Sequence, residues 1–114
     1  MTRERESLVQ GTLEMLVLKA LTLGPEHGWG ISERIEALSG EVFAVNQGAI
    51  YPALQRLRAR GWITARWQVT EQNRRARYYA LTAAGRRQLE REVAWWGRVV
   101  AGVGGVLAAQ PREA

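Results

Sequence analysis

The sequence predicts a mainly helical protein with one small β-hairpin. Apolar residues recur at helical spacing in four segments, and a segment rich in aromatic and β-branched residues precedes the last of them. The 114 residues are enough for one compact domain. Because the chain contains no cysteine, it offers neither a disulfide framework nor a thiolate metal site.

The first two helices are predicted from apolar spacing and from the residues that end each segment. The first helix ends before Gly24-Pro25, a strong helix-breaking pair. The second runs from about Gly28 to Leu38 and is closed by Ser39-Gly40. The apolar stripe of the first helix consists of Leu13, Leu16, Val17, Ala20 and Leu21.

The third helix is predicted to begin after Asn46, a favourable N-cap residue, and to end at Gly61. Pro52 lies inside it and removes one helical hydrogen bond, which a loose or 3₁₀ first turn would accommodate. The side expected to face the core holds Ile50, Ala53, Leu54 and Leu57. The opposite side holds Gly48, Pro52, Gln55 and Ala59.

That opposite side is slim, and polar and basic residues flank it. Such a ridge suits insertion into a groove about 12 Å wide, and Pro52 leaves room for the backbone to approach DNA. Alternatively, Pro52 merely kinks a surface helix. Amides from Asn46 to Ala49 are placed to hold a phosphate. The flanking residues are Gln47, Tyr51 and Arg58 on one side and Ala49, Arg56 and Arg60 on the other.

A change of period after Gly61 predicts the hairpin. The strands are expected at Trp62–Val69 and Ala76–Leu81, joined by the polar turn TEQNRR. Trp62 and Trp67 are assigned to core or sheet packing, and one of Tyr78 and Tyr79 is expected to face the core. Three helices followed by a hairpin make a winged helix-turn-helix, whose third helix enters the DNA major groove.

The basic charge is concentrated in the part of the chain that forms this motif. Seven arginines lie between Arg56 and Arg77, against the single Glu71. Such a stripe is typical of a polyanion-binding protein, although GC-rich coding would also favour arginine over lysine. Asn73, Arg74, Arg75 and Arg77 at the hairpin tip are predicted to contact DNA; the alternative is a solvated turn.

The final helix is predicted to follow Thr82 and to pair with a second copy. Its apolar seam repeats at steps of four and three residues, and one such helix cannot bury its own stripe. The expected division is a DNA-binding domain at 1–82, a dimerisation helix at 83–109 and a tail at 110–114. A membrane span at Val93–Ala109, where only Arg98 is charged, is the alternative. The seam is Leu89, Val93, Trp96, Val100, Val103 and Leu107.

With these segments described, the chain resembles the PadR family of transcriptional regulators over Leu8 to Leu89. The matching pieces are LVQGTLEMLVLKAL, LGPEHGWGI, NQGAIYPALQRLRARGWI and NRRARYYALTAAGRRQL. The resemblance implies a homodimeric winged-helix repressor of the short subfamily, which has one C-terminal helix. It also implies DNA contacts at Gln47, Gly48, Ala49, Tyr51 and Pro52, with Arg74 and Arg75 on the wing.

The chain departs from the family pattern at three positions near the expected interface. Trp29 stands where the family usually has tyrosine, Ala49 where it usually has serine, and Arg58 where an acid is common. These changes shift the expected affinity toward arginine–phosphate contacts. We expect Trp29, Asn46, Gln55 and Arg58 to belong to the interface as well.

The resemblance also implies an effector site at the centre of the dimer. Trp96 corresponds to a tryptophan that, in short family members, stacks on flat aromatic ligands. Trp95, Leu13 and Val9 are expected to line the same opening. The alternative is that Trp96 only packs the dimer interface.

Enzyme chemistry is not expected, nor is a cofactor. The chain has no aspartate and no cysteine, and its one histidine, His27, is interpreted as a turn or packing residue. Glu26, Glu33 and Glu36 are interpreted as solvated charges. No export signal is visible, so the expected location is cytoplasmic. The leading hypothesis is a dimeric operator-binding repressor; the others are a nonspecific nucleic-acid binder and a protein-interaction adaptor.

Overall fold

A computed structural model describes residues 6–7 and 10–112, and within them it has four helices and five strands. The helices are α1 Gln10–Leu21, α2 Gly28–Leu38, α3 Gln47–Ala59 and α4 Ala83–Leu107. The strands are β1 Glu6–Ser7, β2 Glu26–His27, β3 Phe43–Ala44, β4 Ile63–Val69 and β5 Arg75–Leu81. The predicted mainly helical class with a small hairpin is confirmed.

Helices α1, α2 and α3 enclose a single hydrophobic core. The four residues predicted for the inner side of α3 have no exposed surface, so the helical wheel placed that side correctly. Met15 and Val45 also belong to the core, and Leu16 packs against it from the edge. The remaining core residues are Leu13, Val17, Leu18, Ala20, Leu21, Ile31, Ile35, Ile63, Tyr79 and Leu89.

The first turn of α3 is capped by Asn46 and precedes Pro52. The Asn46 side chain accepts a hydrogen bond from the Gly48 amide, and the Asn46 carbonyl accepts from both Ala49 (2.9 Å) and Ile50 (3.1 Å). This shared acceptor mixes 3₁₀ and α geometry, as predicted for that turn. The helix then continues through Pro52 as far as Ala59. The predicted N-cap at Asn46 is therefore confirmed.

The hairpin belongs to a three-stranded sheet in the order β2–β5–β4. Strand β2 was not predicted, because two residues carry no periodicity. It forms where Glu26 and His27 pair with Tyr79 and Tyr78 on the free edge of β5. The two-residue strands β1 and β3 pair in parallel on their own.

His27 and Glu26 both have structural roles in this region. His27 is the N-cap of α2, and its Nδ1 accepts a hydrogen bond from the Gly30 amide at 3.0 Å. Glu26 accepts from Arg34 at 3.2 Å, and Glu36 accepts from the Val45 amide at 2.8 Å. The interpretation of Glu26 and Glu36 as solvated helix charges was therefore wrong.

Helix α4 starts against the domain and then leaves it. Thr82 caps the helix by accepting a hydrogen bond from the Gly85 amide, as predicted. Only Gly85 and Leu89 are buried along its 25 residues, and the molecule measures 68 Å along its longest axis. Within the described ranges, none of the helices is long and apolar enough to cross a membrane.

Replacing Gly85 by alanine is expected to reduce the free energy of unfolding by about 1–3 kcal/mol. A Cβ atom at Gly85 would lie 2.1 Å from the Trp62 carbonyl oxygen, so α4 would have to move away from the sheet. The matched control is Gly102→Ala, where a Cβ meets nothing within 4 Å. Higher helix propensity should make that variant more stable by up to about 1 kcal/mol. Urea unfolding measures both, and equal effects would contradict the close approach of α4 to Trp62.

Candidate nucleic-acid interface

The outer face of α3 presents small side chains to solvent. Gly48, Pro52, Gln55 and Ala59 are all exposed, whereas the residues behind them are fully buried. Because the bulky apolar side chains of this helix point inward, the exposed ridge is slim. Its surface therefore fits a groove of major-groove dimensions.

The residues beside this ridge hold α3 against α2. The side-chain amide of Gln47 donates a hydrogen bond from Nε2 to the Ser32 hydroxyl at 2.9 Å, and that hydroxyl donates to the Gly28 carbonyl. The ring of Tyr51 lies so close to Gly28 that a Cβ there would meet it at 2.8 Å. Ala49 is half-buried and packs against the core. Of the residues expected at DNA, Gln47 and Ala49 thus also take part in packing.

Two arginines of the basic stripe share the carboxylate of Glu14, which offsets one of their two positive charges. The Nε of Arg56 donates to the carboxylate of Glu14 in α1, and Arg60 lies 3.5 Å from the other oxygen of that carboxylate. Glu14 is 6% exposed. The sequence placed Arg56 and Arg60 on the outer shoulder of α3, and the structure corrects this: both face α1. The exposed Arg58 carries no such pairing to Glu14.

The wing, defined here as β4, β5 and the turn between them, has a tight tip. Asn73 adopts a left-handed conformation with φ of 60°, and its amide donates to the Thr70 carbonyl at 2.9 Å. The Thr70 amide in turn donates to the Arg74 carbonyl at 2.7 Å. This geometry leaves Arg74 and Arg75 exposed at the end of the hairpin.

Trp67 lies on the sheet of the wing and not in the core. The sequence assigned it to core or sheet packing, and its 57% exposure excludes the core alternative. The guanidinium carbons of Arg75 and Arg77 lie 5.1 and 5.7 Å from the centre of its ring. Tyr79 is the tyrosine that enters the core, and Tyr78 packs edge-on against His27.

An open groove of about 850 Å³ separates the wing from α2 and α3. It brings together residues predicted from three separate stretches of sequence: Trp29, Tyr51 and Gln55, and the wing arginines 74, 75 and 77. The other predicted residues, at the first turn of α3 and at positions 52, 58 and 73, lie outside its lining. The remaining lining residues, which the sequence did not indicate, are His27, Gly28, Glu33, Trp67, Thr70, Gln72, Ala76 and Tyr79.

A smaller hollow of about 280 Å³ lies between α1 and α4. Of the residues expected to bind an effector, it contains Trp95. Leu13 is 2% exposed and belongs to the core, and Val9 lies outside the described residues. The ring of Trp96 lies 6.3 Å from that of Trp95 but is not part of the lining. The other lining residues are Gly11, Met15, Gln88, Arg91 and Glu92.

Residues 17–91 match the family described as the Transcriptional regulator PadR-like family. The chain belongs to this family. PadR-like proteins are transcriptional regulators that bind DNA, and they are not enzymes, which agrees with the expectation from the sequence. The fold and the recognition from sequence motifs are thereby both confirmed.

Solved structures of PadR proteins share the fold over most of the chain. A PadR family transcriptional regulator from Eggerthella lenta is 29% identical, with a TM-score of 0.74 over 89% of this chain and 86% of that one. A PadR-like transcriptional regulator from Bacillus cereus is 26% identical, with a TM-score of 0.73 over 89% and 96%.

A further relative is an uncharacterized 37.1 kDa protein in a transposon of Streptomyces fradiae. It is 43% identical over 79 residues, which cover 69% of this chain. The match covers only 21% of the relative, so this PadR-like chain corresponds to about a fifth of that protein.

The hollow beside α1 contains a perturbed carboxyl group. Burial raises the pKa of Glu92 above its ordinary value, the hydrogen bond from Gln88 lowers it, and the nearby Glu14 raises it further. Glu92 Oε2 is buried and has no hydrogen-bond partner among the described residues. The Glu14 carboxylate therefore lies near enough to disfavour the charged form of Glu92.

Replacing Glu14 by glutamine should reduce the free energy of unfolding by roughly 1–3 kcal/mol, because a charged hydrogen bond between α1 and α3 is weakened. Arg58→Gln is the matched control, since Arg58 is exposed and its replacement should change stability by less than about 0.5 kcal/mol. Arg56→Gln should resemble Glu14→Gln, and the double variant should be less destabilised than the sum. Additive effects in urea unfolding would show that the pair contributes nothing.

Proposed function

We propose that this PadR-like chain is a homodimeric, sequence-specific repressor whose operator binding is relieved by a small aromatic molecule. The observation that carries the DNA-binding part is the shared groove, because it sets Tyr51 and Gln55 of α3 beside the wing arginines. An exposed helix alone or a basic loop alone would be ordinary surface. Together they match the two contacts that a winged helix makes with duplex DNA.

In this proposal, α3 enters the major groove and the wing lies over the adjoining strand. Gln55, Tyr51 and Arg58 are the α3 side chains best placed to reach base edges or phosphates, since all three are exposed. Asn46 and Gly48 lie at the helix N-terminus, whose partial positive charge favours a phosphate. The Gly48 and Ala49 amides already donate to Asn46, so they are not free to hold a phosphate as the sequence suggested. Arg74 and Arg75 supply phosphate contacts from the tip of the wing.

The proposed dimer follows from the apolar seam of α4. Beyond Leu89 the seam residues are exposed; Trp96 retains 39% of its surface and Val100 51%. Packing this seam against the same seam of a second copy would cover it, and twofold symmetry is the simplest arrangement. Two recognition helices would then meet half-sites about one helical turn apart, near 34 Å.

The proposed effector site lies where α4 meets α1 and its symmetry mate. Trp95 already lines a hollow there, and Trp96 lies next to it on the dimer seam. A planar ligand bound between the two α4 helices would favour one spacing of the recognition helices. The loss of operator affinity would be limited by the ratio of the ligand's affinities for the two helix spacings, the one that fits DNA and the one that does not.

A second candidate is a nonspecific nucleic-acid binder without effector control. The exposed arginines of the wing favour it, because contacts to phosphates carry no sequence information. Both candidates predict DNA binding, but only the first predicts discrimination between sequences.

Fluorescence anisotropy with duplex from the gene's own upstream region, against a scrambled duplex, tests the proposal. A repressor of its own operator should prefer the upstream duplex by about 10³-fold or more, and the preference should persist as salt rises. Equal binding that weakens steeply with salt would favour the nonspecific candidate. Addition of planar aromatic compounds should then release wild-type protein from the operator but leave a Trp96→Leu variant bound.

The dimer is tested by placing a charge on its seam. Val100→Glu should convert the dimer to monomer in analytical ultracentrifugation, because the glutamate would be buried against its copy. The matched control is Gly102→Glu, which places the same charge about 200° away on the helix, where nothing lies within 4 Å. A Val100→Glu protein that remains dimeric would place the interface elsewhere.

A further inference from the structure

We propose that Trp67, Arg75 and Arg77 form a binding site for a DNA phosphodiester on the inner face of the wing, with Trp67 as the positioning residue for both arginines. The proposal rests on the proposed DNA-binding function. It adds a tryptophan that sequence reasoning assigned to packing. It also assigns a specific role to two of the basic residues of the wing.

The pairing of the strands sets the three side chains on one face. Trp67 lies directly opposite Arg77 in the β4–β5 ladder, and Val69 lies opposite Arg75. Residues at these positions share one face of an antiparallel pair. Both guanidinium groups lie within about 6 Å of the indole ring, the range in which cations are attracted to an aromatic face. The ring is therefore flanked by two cations held by the same hairpin.

Contact with the indole prepares an arginine for phosphate. The Nε of Arg77 is buried and has no hydrogen-bond partner among the described residues, whereas Arg75 is exposed and keeps its N–H groups available to a phosphate. Those N–H groups form the fork that matches two phosphate oxygens. Contact with the ring also restricts a flexible side chain, which reduces the rotamer entropy that is lost when it binds.

The position in the fold identifies the ligand as a phosphodiester. The three residues line the groove between the wing and α3, with Tyr51 and Trp29 among the residues from the helices. When α3 occupies a major groove and the wing lies over the next groove, the strand between the two grooves must pass through this space. The lining contains three arginines against the single acid Glu33, so the groove attracts a polyanion.

An exposed tryptophan covered by neighbouring arginine side chains is also an ordinary way to shield an indole. The two interpretations differ in one measurable respect. If Trp67 positions the arginines for phosphates, removal of an uncharged ring should reduce the number of ionic contacts with DNA. If the ring is only shielded, that number should not change.

The experiment measures how the affinity of the full chain for a short random-sequence duplex depends on salt. Each phosphate contact contributes about 0.9 to the slope of log affinity against log salt concentration. The double variant Arg75→Gln/Arg77→Gln should therefore reduce the magnitude of the slope by about 1.8. Trp67→Ala should reduce that magnitude by about 0.9 to 1.8. Trp67→Phe, which keeps an aromatic face, should retain most of the wild-type slope. Trp67→Ala added to the double arginine variant should have no further effect.

Circular dichroism confirms that each variant is folded before its slope is interpreted. If Trp67→Ala unfolds, Trp67→Leu, which also removes the aromatic face, replaces it and should show the same reduction. If the slope of Trp67→Ala equals that of the wild type, the proposal is overturned. A slope of Trp67→Phe that is reduced as far as that of Trp67→Ala also overturns it. Weaker binding at an unchanged slope also overturns it, because the ring would then contact DNA itself. Failure of the wild-type chain to bind any duplex at low salt would instead overturn the proposed function.

Discussion

The interface depends on the way the core holds α3. Ile50, Leu54 and Leu57 have no exposed surface, so rotation of the helix would expose large apolar side chains at about 1.5–3 kcal/mol each. The opposite face carries Gly48 and Pro52, which contribute little to packing. Because burial fixes the inner face, the slim outer face is held toward solvent. The wing is then placed beside it by the sheet that joins Ile63 and Tyr79 to the same core.

Electrostatics divides the arginines into two groups with different roles. Arg56 and Arg60 complete a nearly buried carboxylate and tie α3 to α1. Arg74 and Arg75 lie at the exposed end of the wing. Of the arginines of the basic stripe, those of the wing tip therefore remain free of the Glu14 carboxylate. In the proposed complex, α3 supplies shape and the wing supplies most of the attraction to phosphates.

Helix α4 connects the two proposed functions through a series of contacts. Its first turns pack on α1, where Glu92 lies in the hollow with Met15, and Glu14 on the same α1 helix pairs with α3. Farther along, α4 exposes the apolar seam. A ligand that shifts α4 would therefore act on α1 and, through the Glu14 pair, on the recognition helix.

Local patterns in the chain were sufficient to predict the helices, the caps at Asn46 and Thr82, the inner side of α3 and the family. The helices and caps arise from neighbours within a few positions, so their spacing is visible in the chain. Which arginines are paired was visible only after packing, because Arg56 finds its partner 42 positions away. The exposure of Trp67 and the existence of β2 also depend on packing, since β5 pairs with both β4 and β2. Periodicity reports the faces of an element, whereas the partners of each face are set only when the elements pack.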